Sequence, residues 1–119
     1  DELVLADGNF PAAACARRLI RADGHGVAPL LCAVLPFFPL DTYVRHPVGL
    51  MAVCAGDPEP AIWKTYAQAL KGLPGWPGEF AFIERFEFYE RARRAFAVVA
   101  TGELAPYANI ILTKGCVRG

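Results

Sequence analysis

Glu84-Arg-Phe-Glu-Phe-Tyr-Glu-Arg-Ala-Arg-Arg94, then Ala95-Phe-Ala-Val-Val-Ala-Thr-Gly102, then Glu103-Leu-Ala-Pro-Tyr-Ala-Asn-Ile-Ile-Leu-Thr-Lys114: this stretch decides the fold of the chain. Its first part has helical chemistry. Phe88, Ala92 and Ala95 recur at helical spacing on one apolar side. Glu87 with Arg91, and Glu90 with Arg94, are expected as acid-before-base pairs four residues apart. Arg85 and Tyr89 share the same spacing, so a guanidinium and a phenol leave the first turn in one direction. Phe96-Ala-Val-Val-Ala100 has no polar residue to expose, which suits a strand covered on both faces. Gly102 ends it, Pro106 stiffens the return, and Asn109-Ile-Ile-Leu-Thr113 restarts a strand. If that strand is extended from its approach, Tyr107 and Asn109 share a side.

Upstream, Leu3 to Ala6 reads as a buried strand that turns at Asp7-Gly-Asn9. Leu19 to Ala22 reads as a second short strand, ended by Asp23-Gly24. Val27 to Phe38 is a helix rich in Leu, Ala and Val, with Pro29 tolerated in its first turn and Pro36 near its end. Leu40-Asp-Thr-Tyr43 leaves it. Val48 to Cys54 is a third buried strand, and Asp57 to Pro60 forms a turn. Ala61 to Lys71 gives an amphipathic helix with Ile62, Tyr66, Ala69 and Leu70 facing the sheet. Gly72 to Gly78 is a turn-rich loop without a phosphate-cradling glycine pattern, and Phe80-Ala-Phe-Ile83 returns to the opening stretch. Strands alternate with helices and the chain closes on a strand pair. The expectation is a single α/β domain over residues 1–119: a mostly parallel mixed sheet with helices on both faces, in three layers.

Of the 119 residues, 55% are hydrophobic and 20% charged. So short a chain cannot hide that much apolar surface alone, which predicts a homo-oligomer. Net charge is +0 with no basic run, which argues against nucleic acid and anionic membranes as partners. No apolar run approaches the roughly 20 residues of a membrane span, and no signal peptide is evident. Cys15, Cys32, Cys54 and Cys116 lack metal-like or redox spacing, and three of them lie in or beside apolar stretches as small hydrophobes. A reducing cytoplasm is expected. His25 and His46 are read as solvated or capping residues and not as metal ligands. Trp63 and Trp76 are read as packing residues.

Asp7, Arg85, Tyr89, Tyr107 and Asn109 thus gather polar groups at the ends of apolar elements, where a small polyhydroxylated ligand could meet them. Each taken alone reads first as a turn, cap or rim residue. Phe86-Glu-Phe-Tyr-Glu-Arg-Ala92, Ala100-Thr-Gly-Glu103 and Tyr107-Ala-Asn-Ile-Ile-Leu-Thr-Lys-Gly115 resemble the family shared by fucose mutarotases and D-ribose pyranases. Asp7-Gly-Asn-Phe-Pro11 and Ile20-Arg-Ala-Asp-Gly24 favour the fucose branch, whereas Ala108 between Tyr107 and Asn109 is the residue typical of the ribose branch. The segment from Pro11 to Leu19 is shorter than is usual in the family.

The resemblance implies a cofactor-independent isomerase that interconverts the α and β anomers of L-fucose by acid–base ring opening and closure, using no metal. It implies that Asp7, Arg85, Tyr107 and Asn109 bind the monosaccharide. Tyr89, Tyr107 and Asp41 are the expected catalytic groups, and ring-like oligomers are expected to place sites between subunits. The family's catalytic histidine falls in a Gly-His-Gly tripeptide before the Asp-Glu that opens this chain, and Gly24-His-Gly26 follows the wrong strand to replace it. The chain, opening without methionine, is therefore expected to be an impaired fragment lacking an N-terminal segment. The alternatives are a D-ribose pyranase-type activity and a non-catalytic sugar-binding or structural ring subunit.

Overall fold

A computed structural model describes residues 1–115. The strands are β1 (Glu2–Ala6), β2 (Leu19–Ala22), β3 (Val48–Met51), β4 (Ala81–Ile83), β5 (Ala97–Thr101) and β6 (Ile110–Thr113). The helices are α1 (Ala12–Cys15), α2 (Val27–Val34, running into a 3-10 turn at Leu35–Phe37), α3 (Ile62–Leu70) and α4 (Arg85–Arg94). The strands form one six-stranded sheet in the order β2-β5-β1-β6-β3-β4. β1 and β2 each run parallel to β5, β3 runs parallel to β4, and β6 lies antiparallel between β1 and β3. Strands β1 to β5 therefore share one direction and β6 alone opposes it, which is the mixed, mostly parallel sheet expected.

The strand pair expected at the end of the chain is not a pair. β1 lies between β5 and β6, joining Val4 to Val98 on one side and to Ile111 on the other. Both neighbours of β1 are apolar and buried on two faces, so the middle of the sheet is the place that hides them best.

Alternation along the strands feeds two cores. Val4, Val98 and Ile111 point toward α1 and α4 with Phe10, Phe88 and Ala92. Leu5, Ile110 and Leu112 point the other way, under α2 and α3, with Leu31, Tyr66 and Leu70. Trp63 is also buried on α3, and Trp76 packs on Phe80 with ring centroids 4.9 Å apart.

Helix α4 begins where Glu84 accepts hydrogen bonds from Phe86 N and Glu87 N, a cap worth about 1 kcal/mol. Phe88 and Ala92 are buried, and so is Ala95 just beyond the helix, as its spacing predicted. The expected ion pairs differ. Arg91 reaches off the helix to Glu2 on β1, and Glu90 pairs with Arg93. A half-buried partner on the sheet holds Arg91 better than a solvated one along the helix. Phe96 precedes β5 and is exposed, with the Arg18 guanidinium 4.2 Å above its ring. β2 is an edge strand, so Leu19 and Ile20 are exposed. Among the described residues Cys15 is buried, while Cys32 and Cys54 are exposed and so do not serve as buried small hydrophobes. Cys116 lies outside the described residues. No described helix is long and apolar enough to cross a membrane.

Candidate functional site

In an open sheet of parallel strands, the loops that leave the carboxyl ends diverge and make room for ligands. Here that edge collects Asp7 after β1, Cys54 and Asp57 after β3, Arg85 after β4, and Glu103 after β5. Because β6 runs the other way, its beginning, not its end, reaches the same edge, and it brings Tyr107 and Asn109.

Asp7 and Asn109 form a buried lock. Asp7 N donates to Asn109 Oδ1 at 2.7 Å, and Ala108 N donates back to Asp7 Oδ2 at 3.2 Å. Asn9 N donates to Asp7 Oδ1 at 3.0 Å, closing the turn. Asp7 is 5% exposed and Asn109 4% exposed. Burial pushes the Asp7 carboxyl above its ordinary range; the backbone N–H donors oppose the rise, and the Glu103 charge adds to it. A carboxyl raised by burial at the end of a strand is a mark of a candidate functional site.

Around the lock the loops are tied together. Thr101 Oγ1 donates to Ala6 O at 2.8 Å and accepts from Glu103 N at 3.1 Å. Glu103 accepts from Val27 N at 3.0 Å, so it caps α2 from across the sheet in place of Gly26, which has no side chain to do so. Tyr66, fully buried, donates to Ala108 O at 2.7 Å, and burial pushes its phenol far up.

The second group is an open rim. Arg85 is exposed, and its Nη2 donates to Cys54 Sγ at 3.1 Å, which holds the guanidinium protonated more firmly still. Tyr89, one turn on, is half-buried, its ring meeting Phe10 at 5.4 Å and Phe86 at 6.0 Å between centroids. Tyr107 donates to Asp57 Oδ2 at 2.6 Å and accepts from Cys54 N at 3.3 Å. The bond to Asp57 is the chief reason its phenol is pushed up.

Tyr107 and Asn109 do not share a side as an extended chain requires. Tyr107 has φ 53°, in the left-handed region, and β6 starts only at Ile110. Tyr107 therefore swings toward β3 while Asn109 turns to Asp7. Trp63 Nε1, bonded to Tyr107 O at 2.8 Å, helps to hold this conformation, which costs about 1–2 kcal/mol for a residue with a Cβ.

Asp41 is not with the others. Its N–H donates to Thr113 O at 3.0 Å, at the far end of β6, and its Oδ1 accepts from Tyr43 N at 2.8 Å in a turn. A strand length of roughly 13 Å separates it from Asn109, so within one protomer it cannot act at the same site. The same end holds a cavity of about 830 Å³, whose walls are mainly apolar, with Leu35, Phe37, Leu40, Leu73 and Pro74 among them. Such walls offer a sugar few hydrogen bonds.

His25 is exposed at the edge of the sheet, and His46 pairs with Glu79 at 3.0 Å. Among the described residues no group of three or more His, Cys, Asp or Glu side chains is placed to hold a metal ion. Sequence reasoning passed over Cys54, Asp57 and Glu103. The available signal was their place just past the ends of apolar strands, the same place that made Asp7 a candidate.

The model of the RbsD / FucU transport protein family matches residues 1–117. The fucose mutarotase of Homo sapiens is 52% identical over 122 residues, covering 97% of this chain and 79% of that protein. The fucose mutarotase of Streptococcus pneumoniae, solved in complex with L-fucose, superposes with a TM-score of 0.94 at 47% identity, covering 99% of this chain and 84% of that one. Bacillus subtilis RbsD, solved with D-ribose, shares the fold with a TM-score of 0.75 at 21% identity, over 99% of this chain and 84% of that one. With its sheet, its helices and nearly its whole length accounted for in this way, the chain belongs to the RbsD / FucU family.

Proposed function

We propose that this chain is a sugar mutarotase that interconverts the α and β anomers of L-fucose. The observation that carries the reading is the meeting of Asp7, Asn109, Arg85, Tyr89 and Tyr107 at one edge of a fold that is 47% identical to a fucose mutarotase solved with L-fucose. Anomer exchange needs only proton transfers. The anomeric hydroxyl loses its proton while the ring oxygen gains one. The ring opens to the aldehyde, the C1–C2 bond turns, and the ring closes on the other face. Acid–base groups within hydrogen-bond reach each contribute about 10²- to 10⁴-fold in rate.

The roles follow from the atoms left free. Asn109 Oδ1 is taken by Asp7 N, so Asn109 offers its amide N–H groups to a sugar oxygen. Arg85 makes the charge-assisted bond. Tyr89 and Tyr107 orient the sugar and move protons. The site lies open on one protomer, and exposed Phe37, Phe82, Phe86 and Leu104 await cover. These features support a homo-oligomer, ring-like as in the expected family pattern, whose neighbouring copy closes the site. Residence in the cytoplasm is part of the same proposal and is supported by the free thiols of Cys15, Cys32 and Cys54.

A D-ribose pyranase-type activity is the second reading, favoured by Ala108 between Tyr107 and Asn109. Saturation-transfer NMR on both sugars separates the two. The whole gene product is expected to speed exchange between L-fucose anomers well above the rate in buffer, and to act on D-ribose less. Residues 1–119 alone, whose two histidines lie away from the lock and rim, are expected to bind L-fucose with slower exchange. Exchange at the buffer rate in the whole product, together with measurable L-fucose binding, would leave a non-catalytic sugar-binding protein.

A further inference from the structure

The register of the sheet sets Cys54 beside Arg85. β3 and β4 run parallel with Met51 opposite Ile83, and Ala52 N donates to Ile83 O at 2.8 Å, so the two chains leave the edge side by side. Cys54 follows Met51 closely in the loop after β3, and Arg85 follows Ile83 closely at the start of α4. There Arg85 Nη2 donates to Cys54 Sγ at 3.1 Å, while Cys54 N donates to the Tyr107 hydroxyl oxygen at 3.3 Å. Tyr107 keeps its own proton in the bond to Asp57 Oδ2. Cys54 thus touches two polar groups of the rim, one through its side chain and one through its backbone. Arg85 forms no ion pair with a carboxylate among the described residues. Its position at the rim is therefore set by an uncharged acceptor.

We propose that Cys54 is a positioning residue, whose sulfur holds the Arg85 guanidinium in place for a sugar hydroxyl without cancelling its charge. The inference rests on the mutarotase reading above. It gives Cys54 no proton to move, and leaves the acid–base work to other groups, the histidine implied by the family resemblance among them. An exposed arginine samples many rotamers, and ordering such a side chain on binding weakens affinity by about 2- to 10-fold. A contact already made in the free protein removes much of that cost. The choice of acceptor matters as well. A carboxylate would take two of the guanidinium donors and neutralise the cation. A thiol sulfur is a weak, neutral acceptor that occupies a single N–H, so the remaining donors and the full charge stay available to the sugar.

The test uses Cys54→Ala and Cys54→Ser in the whole gene product, each made also in an Arg85→Ala background. Cys54 is exposed, so the variants are expected to fold. Alanine removes the acceptor, and serine restores one. Cys54→Ala is expected to weaken L-fucose binding by about 2- to 10-fold, while Cys54→Ser stays within about 2-fold of the unaltered protein. Anomer exchange at saturating sugar is expected to change by less than about 2-fold, because a guanidinium ordered in advance helps ground state and transition state alike. In the Arg85→Ala background, Cys54→Ala is expected to change affinity by less than about 2-fold, since the group it positions is gone. The proposal is overturned by an unchanged affinity in Cys54→Ala, by a loss in Cys54→Ser as large as in Cys54→Ala, or by a loss that persists without Arg85. A defect seen at saturating sugar and not in affinity overturns it too. Failure of the mutarotase reading looks different: the unaltered protein leaves the anomers at the buffer rate, while binding still separates the alanine and serine variants. An unaltered protein that takes up no L-fucose overturns both.

Discussion

Replacing Asn109 with leucine isolates the hydrogen bond that joins the first strand to the last loop. Leucine has the branched outline of asparagine, with two bulkier methyl groups in place of the amide oxygen and nitrogen, so the side chain still fills the site while the oxygen that accepts from Asp7 N at 2.7 Å is removed. Asp7 is 5% exposed, so water has little room to replace that oxygen. A buried N–H left without an acceptor costs about 1–3 kcal/mol. Unfolding is then favoured roughly 5- to 150-fold over the unaltered protein. The Asp7 carboxylate keeps its bonds from Asn9 N and Ala108 N, so the loss reports on the one removed bond. Urea unfolding followed by tryptophan fluorescence reads it, because Trp63 is buried and bonded to the carbonyl of Tyr107. The midpoint is expected to fall at unchanged slope. Protein concentration must be held fixed, since association would shift the midpoint by itself. A loss below about 0.5 kcal/mol, the scale of an ordinary surface change, would refute the idea that this bond closes the lock.

Arg85→Ala removes an exposed side chain, so stability is expected to change by less than about 0.5 kcal/mol while L-fucose affinity falls roughly 10-fold or more; calorimetric titration and a thermal melt of the same sample check both halves. A Cβ on residue 102 would lie 2.1 Å from Asp23 O, so Gly102→Ala forces two backbones apart and is expected to cost about 1–3 kcal/mol, seen as a lower melting temperature. Glu103→Ala uncaps α2 at Val27 N and is expected to cost about 0.5–2 kcal/mol, with faster amide hydrogen exchange in the first turn of that helix. The Asp7 carboxyl is raised above its ordinary 3.8, so the folded state holds the proton to higher pH than the unfolded chain does. Its contribution to stability is therefore complete below 3.8 and is lost as pH rises through the folded value. Asp7→Asn should abolish that slope, and parallel unfolding curves for the two proteins across the window would count against it.

The sequence was most legible where one residue pattern had one physical meaning. The apolar side of α4, the buried run of β6 and the alternation of strands with helices follow from spacing alone. The partners of charged residues did not. Arg91 could reach Glu87 on its own helix or Glu2 on the sheet, and only the fold brings Glu2 near. Asp41 and Asp7 look alike as carboxylates beside turns, yet they lie at opposite ends of the sheet, because Asp41 follows a helix that enters beside the end of β6. Tyr107 was misjudged for a local reason. Nothing in Pro106-Tyr-Ala-Asn109 announces a left-handed tyrosine, since the contacts that hold it come from Cys54, Asp57 and Trp63, distant in sequence.

The reversal of β6 is what makes this site possible. Five strands that share a direction would send every following loop to one edge and every preceding loop to the other. A sixth parallel strand would place Tyr107 and Asn109, which precede it, at the edge where Asp41 now lies. A hairpin of β5 and β6 would bring Asn109 back beside Thr101, with β1 excluded from its side. Only an antiparallel strand inserted between β1 and β3 carries Asn109 to Asp7 on one flank and Tyr107 to Asp57 on the other. The buried lock and the open rim are thus two flanks of a single strand end. The lock fixes a carboxyl that burial raises above its ordinary range, and the rim leaves its cation and phenols within reach of a ligand. Opening a sugar ring asks for this combination, because the proton-moving groups must stay still while the sugar turns about its C1–C2 bond.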